Sequence, residues 1–163
     1  MRERRCRRGP EAEQPQQKEP VPIFRERDGQ GLVVVDISDP AQMQRLAGTG
    51  EPSAASAVAV NGNMVVVTDL WRDLWIFDVS TPGAPQRLST FELDGMPVDV
   101  TLEGGVALTC EQDAGVRVID LGDPANPAEL ALLDTPGSAN GVEIIGSDLL
   151  IADGGAGLLI ADF

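Results

Sequence analysis

The sequence predicts an all-β fold, a β-propeller-like arc of four-stranded antiparallel blades on a 42-residue repeat, with the propeller itself incomplete. Three observations predict it. Asp36, Asp78, Asp120 and Asp162 stand 42 residues apart each time, with no insertion or deletion between them. In the same phase stand Pro40, Pro82 and Pro124, then Leu46, Leu88 and Leu130, then Val58, Val100 and Val142, then Gly62, Gly104 and Gly146. Finally, 18 Gly and 12 Pro punctuate apolar runs too short for helices, and they recur where a helical repeat would need continuous helix.

Each unit reads as four short strands. Ala57–Val60 and Met64–Thr68 flank Asn61-Gly62, a dipeptide suited to the positive φ of a hairpin turn, and the equivalent turns centre on Gly104 and Gly146. The third strand is Leu32–Val35, Leu74–Phe77 or Val116–Ile119, a near-continuous apolar run that fits a strand covered on both faces. A turn rich in Asp, Ser and Pro then leads to a more polar fourth strand such as Gln86–Phe91. The units divide the chain into a partial blade at 21–50, blades at 56–92 and 97–134, and a partial blade at 139–163. Residues 1–20, rich in Arg, Pro and Gln, are expected to form a disordered leader.

Counting Val21–Arg25 as a second strand gives 14 strands, not a multiple of four, and both ends supply a third strand. Such a chain is expected to form an arc: a fragment, a truncated gene product, or a protomer that closes by association. Uncapped blade faces would then favour self-association.

Charge and composition narrow the function classes. The net charge is −14, and residues 1–20 hold six basic and four acidic side chains, so the body carries the acidity. A body of that sign repels phosphate backbones, and no nucleic-acid partner is expected. No apolar run approaches the about 18 residues of a membrane span, and no apolar stretch completes a signal after the arginines of Arg2–Arg8. Absent His excludes imidazole bases, His metal ligands and Ser-His-Asp triads. Ser53 and Ser56 have no base, and no glycine-rich run cradles phosphate. Cys6 lies in the leader and Cys110 in a strand-like run, so a disulfide between them is not expected.

The meander fixes which loops share an end. First-to-second and third-to-fourth turns lie at one end, where the repeated Asp before Ser and Pro suits a turn bonding its own amides. The opposite end, which propellers commonly use for binding, holds Asp69, Asp73, Glu111, Asp113 and Asp153, with Asp94 and Asp134 nearby. Converging oxygen ligands there make Asp69, Glu111, Asp113 and Asp153 a candidate Ca²⁺ set, though no loop has the twelve-residue acidic cage. The alternative is a set of solvated acidic loop tips. Trp71, Arg72 and Asp73 are the candidate binding residues, because their loop is bulky where its siblings are small and aromatics make up only 4% of the chain. Trp71 could instead fold over the neighbouring blade. Trp75 is expected to fill space between blades, and Arg117 to reach solvent or a neighbouring carboxylate.

The strings GLVVVDISDP, LWIFDVSTP, VRVIDLGDPANP and LLIAD resemble the LVIVD repeat, and Leu132–Asp162 resembles it most. The resemblance covers residues 31–163. It implies a propeller-like fold, the company of bacterial and archaeal surface proteins, and an extracytoplasmic or cell-surface location. It carries over no catalytic residue. Two departures stand out: Asp73 replaces the glycine of Gly31, Gly115 and Gly157, and Arg117 interrupts an apolar strand. The expected function is a non-catalytic repeat scaffold that binds a protein or glycan through one loop face. The alternatives are a metal-dependent propeller hydrolase, whose acid and base groups need separated pKa values, or a gene fragment without autonomous function.

Overall fold

The computed structural model describes residues 21–22 and 31–162. Its strands form four antiparallel sheets in chain order, none closed into a barrel, and the described residues include no α-helix. Blade 1 comprises β1 (Val21–Pro22), β2 (Val33–Asp36) and β3 (Gln44–Gly48). Blade 2 comprises β4 (Ala55–Asn61), β5 (Met64–Asp69), β6 (Asp73–Asp78) and β7 (Gln86–Glu92). Blade 3 comprises β8 (Asp99–Glu103), β9 (Val106–Cys110), β10 (Val116–Asp120) and β11 (Ala128–Leu133). Blade 4 comprises β12 (Gly141–Ile145), β13 (Asp148–Ala152) and β14 (Leu158–Asp162), with a 3₁₀ turn at Gly154–Ala156. The expected extra strand of blade 1 is described at Val21–Pro22, where it pairs with Val34 and Val35. The rest of that strand and the leader at 1–20 fall outside the described residues.

The first strands lie innermost, β4 against β8 and β8 against β12, which gives the arc its propeller-like form. Side chains alternate across each sheet, so every blade offers one face to the blade before it and one to the blade after. Leu32 of blade 1 meets Val65, Val67 and Phe77 of blade 2. The other face of blade 2, with Val66, Leu74 and Ile76, meets Val100, Leu102, Ala107 and Ile119 of blade 3. Blade 3 in turn places Leu108, Cys110 and Val116 against Val142, Leu149 and Ile151 of blade 4. Each fully buried Val, Leu or Ile contributes about 1.5–3 kcal/mol before chain entropy is counted, so the core is a series of inter-blade seams rather than one centre.

Two repeated columns acquire physical meaning here. Asp36, Asp78 and Asp120 each accept a hydrogen bond from the backbone amide two residues on, Ser38, Ser80 and Gly122, all at 2.8 Å. These turns bond their own amides, and the Ser38 amide holds the Asp36 carboxyl below the usual carboxylate range. Leu46, Leu88 and Leu130 are the extra residues of a β-bulge in each fourth strand, because pairing skips from Ala47 to Arg45, Ser89 to Arg87 and Ala131 to Glu129. All three leucines are exposed, and the bulges disrupt the ladder at the outer edge of each blade.

Cys110 lies fully buried in the seam between blades 3 and 4. Burial, then the charges of Asp99, Asp153 and Glu111, push its thiol up to about 12. With Cys6 replaced by Ser, a thiol reagent at pH 8 is expected to react only after urea unfolds the chain. Rapid labelling of the native protein would show instead that this seam opens readily.

Candidate functional site

The loops joining second to third strands carry the candidate residues, and each begins with a buried acid: Asp69, Glu111 and Asp153. Burying a carboxylate requires dedicated donors, and each blade supplies a different set. In blade 2, Asp69 Oδ1 accepts from the amides of Trp71 at 2.9 Å and Asp73 at 3.1 Å, while Oδ2 accepts from Trp75 Nε1 at 3.0 Å. In blade 3, Glu111 accepts from the Gly95 amide at 2.8 Å, the Thr109 hydroxyl at 3.0 Å and Arg117 Nε at 2.7 Å. In blade 4, Asp153 accepts from the Thr135 hydroxyl at 2.7 Å and the Gly137 amide at 2.8 Å.

The pattern is periodic in its logic. Trp75, Arg117 and Leu159 share one repeat position. Where that position offers a donor, the acid uses it; where Leu159 offers none, Thr135 takes over. Arg117 goes further, pairing with Asp94 at 2.7 Å and with Glu129 while its side chain is only 3% exposed. The hydrogen bond to Glu111 leads the causes that raise its pKa still higher, against the desolvation that opposes them. The departure noted in the sequence is thus a cation held among three carboxylates, in agreement with the carboxylate alternative.

The proposed calcium set does not converge. Asp69 accepts from amides of its own loop, Glu111 and Asp153 accept from the segments that enter blades 3 and 4, Asp113 is exposed, and among the described residues no group of three or more His, Cys, Asp or Glu could hold a metal ion. Nor are Asp69, Glu111 and Asp153 solvated loop tips, the reading that stood beside it, whereas the exposed Asp113 fits it. Asp134 is exposed and pairs with none of the three. No buried side-chain nitrogen or oxygen among the described residues lacks a hydrogen-bond partner.

The Trp71 loop is different in kind. Arg72 sits at φ +72, a left-handed conformation costly for a non-glycine residue. Its side chain donates from Nη1 to the Asp94 carbonyl at 2.9 Å, and its own carbonyl accepts from the Leu93 amide at 2.7 Å. With Asp69 fixing the Trp71 amide, the backbone is tied down on both sides while the indole remains 72% exposed. Leu70 and Met96 are exposed as well. Trp75 is half-buried against the blade 1–2 seam, with the Arg87 guanidinium 5.3 Å from its ring centroid. Arg87 also pairs with Glu51 at 2.7 Å across that seam.

Asp73 lies directly opposite Glu92 in the β6–β7 ladder, a like-charge pair. Burial, then Asp69 and Glu92, raise its pKa. A carboxyl raised in the folded state weakens folding above that raised pKa and not below the unfolded value. Asp73→Asn is therefore expected to stabilise the protein at pH 7 by about 0.2–1 kcal/mol. The gain should vanish as pH falls toward the ordinary carboxylate range, as urea titrations at pH 7 and in acid would show.

Sequence reasoning missed Glu129, Thr109 and Thr135. Glu129 had a signal: it stands where Arg45 and Arg87 stand, and the charge changes sign in the one blade whose third strand carries Arg117.

The model of the LVIVD repeat matches residues 28–47, 52–91, 94–135 and 136–163. No curated protein matches the sequence. Among solved structures, the chain overlays the crystal structure of the computationally designed Ika8 protein with a TM-score of 0.67 at 18% identity, over 90% of this chain and 46% of that one. That likeness is one of fold, and this chain spans less than half of the designed protein's length.

Proposed function

The chain belongs to the LVIVD repeat family, and from that premise we propose that it is a non-catalytic scaffold of a cell-surface protein that binds a partner protein through the Trp71 loop. The observation that carries this reading is an exposed indole on a backbone fixed from beneath by a buried carboxylate. A large rigid aromatic held ready for contact loses little freedom on binding, and Trp with Arg beside it is the composition of interface anchors. The surface location is proposed from the bacterial and archaeal surface proteins that the resemblance to the LVIVD repeat implies. The non-catalytic role is supported by the employment of Asp69 in holding its own loop and of Glu111 and Asp153 in holding the segments that enter their blades.

Trp71→Ala tests it. Because the indole contributes so little to packing, the melting temperature is expected to stay within about 2 °C, the shift of a surface substitution. A surface-protein ligand retained by the wild-type chain should be lost by the variant. Retention by both would remove the Trp71 loop from the interface, and retention of a glycan instead would identify the other ligand class. Metal-dependent turnover of a lactone or ester panel would replace the scaffold reading with the hydrolase one.

A further inference from the structure

The outer edge of the seam between blades 1 and 2 is hollow where that between blades 2 and 3 is filled. At the second, Phe91 packs against the core, Leu93 is buried in it, and Ser89 Oγ donates to the Pro124 carbonyl at 2.5 Å. The residues 42 positions earlier are Thr49, Glu51, Ala47 and Pro82. Two apolar side chains thus give way to polar ones, and the hydroxyl that ties β7 to the next blade's turn gives way to a methyl group. A groove of about 550 Å³ remains, with Ala47, Thr49 and Glu51 on one side and Gly83, Gln86 and Arg87 on the other. Small-molecule sites commonly enclose about 300–1,000 Å³. Both walls belong to described blades within the chain.

The charged groups of the groove are held in place. Arg87 is fixed from two directions, its Nη1 donating to Glu51 Oε2 at 2.7 Å and its guanidinium lying 5.3 Å from the Trp75 ring centroid. Positions fixed before binding cost little to order on binding. Yet the two side chains stay 50% and 59% exposed. A guanidinium has five N–H donors and a carboxylate two oxygens, so their one mutual bond leaves both with capacity for a ligand. Gln86 adds an amide oxygen, since its Nε2 is used on the Ala84 carbonyl at 3.2 Å. The pair also sets the charge of the ligand. An anion drawn to Arg87 meets Glu51, and a cation drawn to Glu51 meets Arg87. A neutral hydroxyl suits both, because it accepts from the one and donates to the other.

We propose that this groove binds a neutral oligosaccharide, neighbouring hydroxyls of a sugar accepting from Arg87 and donating to Glu51. An open groove between two blades admits a chain of sugars rather than enclosing a single ring. The site shares no residue with the Trp71 loop, so the inference goes beyond the reading of that loop and does not rest on it.

Titration calorimetry of the full chain with maltohexaose, cellohexaose and N-acetylchitohexaose tests it. Trp75 emission is read alongside in a Trp71→Phe background, where Trp75 is the only indole. At least one of these neutral probes is expected to bind, to alter that emission, and to hold its affinity as salt is added. Arg87→Ala should weaken binding about tenfold or more, the loss of a hydrogen bond to a charged group. Gly83→Leu should abolish it with the melting temperature retained, because a Cβ there meets nothing within 4 Å and the side chain enters open space. Hexagalacturonate and trialanine, an anion and a zwitterion, are expected to give no heat. Absence of heat with all three neutral probes would overturn the proposal, as would binding of a charged probe in their place. Undiminished binding by the folded variants would also overturn it. Binding lost in Trp71→Ala yet kept in Arg87→Ala would assign the sugar to the Trp71 loop and refute the groove. If Arg87→Ala does not fold, the Gly83→Leu result decides alone.

Discussion

Glu111→Gln is expected to destabilise the protein by about 3–5 kcal/mol, the cost of leaving one member of a buried ion pair without the other. The substitution keeps the volume and one acceptor oxygen, so it isolates the charge. Arg117 cannot respond by losing its proton, and its side chain is 3% exposed. Asp94 and Glu129 remain beside it, but both are open to solvent and are weaker counterweights than the fully buried Glu111. The amide group introduced by Gln would also turn donors toward donors at Arg117, Thr109 or the Gly95 amide.

Arg117→Leu is expected to cost less, because blade 4 contains the outcome already. There Leu159 occupies the same position, and Asp153 lies fully buried on two donors, the Thr135 hydroxyl and the Gly137 amide. Removing Arg117 leaves Glu111 with two donors also, the Thr109 hydroxyl and the Gly95 amide. The double variant Glu111→Gln/Arg117→Leu should then be more stable than Glu111→Gln alone, with a coupling of about 0.5–3 kcal/mol in a double-mutant cycle. Urea denaturation of the four proteins provides the measurement. Equal losses from the two single variants would show that the charge of Arg117 is not what Glu111 balances.

This ordering bears on what a repeat discloses before its structure is known. Strand order, hairpin turns and the amide-capping role of Asp36, Asp78 and Asp120 were legible because they depend on local chemistry that each unit repeats unchanged. The burial of Asp69, Glu111 and Asp153 was not. An acid between two strands reads as a solvated loop tip, and only the partner six residues on shows otherwise, being Trp, Arg or Leu in turn. The donor of blade 4, Thr135, comes from the chain segment entering that blade, so no local pattern announces it. The leucines at 46, 88 and 130 illustrate the opposite case: a regular apolar column that faces solvent because each residue is the bulge of its strand. Trp71 was recognisable as an irregularity, but sequence did not separate an exposed indole from one folded onto a neighbour. Its 72% exposure decides between them.

Gly115→Ala and Gly157→Ala are expected to differ although the residues share a repeat position and nearly the same φ, +85 and +84. Both conformations are open to glycine and costly for any L side chain, by about 1–3 kcal/mol. A Cβ on Gly157 would meet nothing within 4 Å, so its variant should bear that conformational cost alone. A Cβ on Gly115 would lie 2.1 Å from the Leu133 carbonyl oxygen, backbone of the fourth strand that cannot rotate aside. Overpacking of this kind adds about 1–3 kcal/mol, and urea unfolding should resolve the difference. Gly31 repeats the close approach, its Cβ falling 2.1 Å from the Glu51 carbonyl oxygen. Blade 2 avoids it by placing the left-handed residue one step earlier, at Arg72, which leaves Asp73 free to join β6. The glycine column therefore reflects the passage of the chain leaving the fourth strand as much as the turn itself. If both alanine variants lose the same stability, the turn conformation alone accounts for the column and the close approach of Leu133 does not contribute.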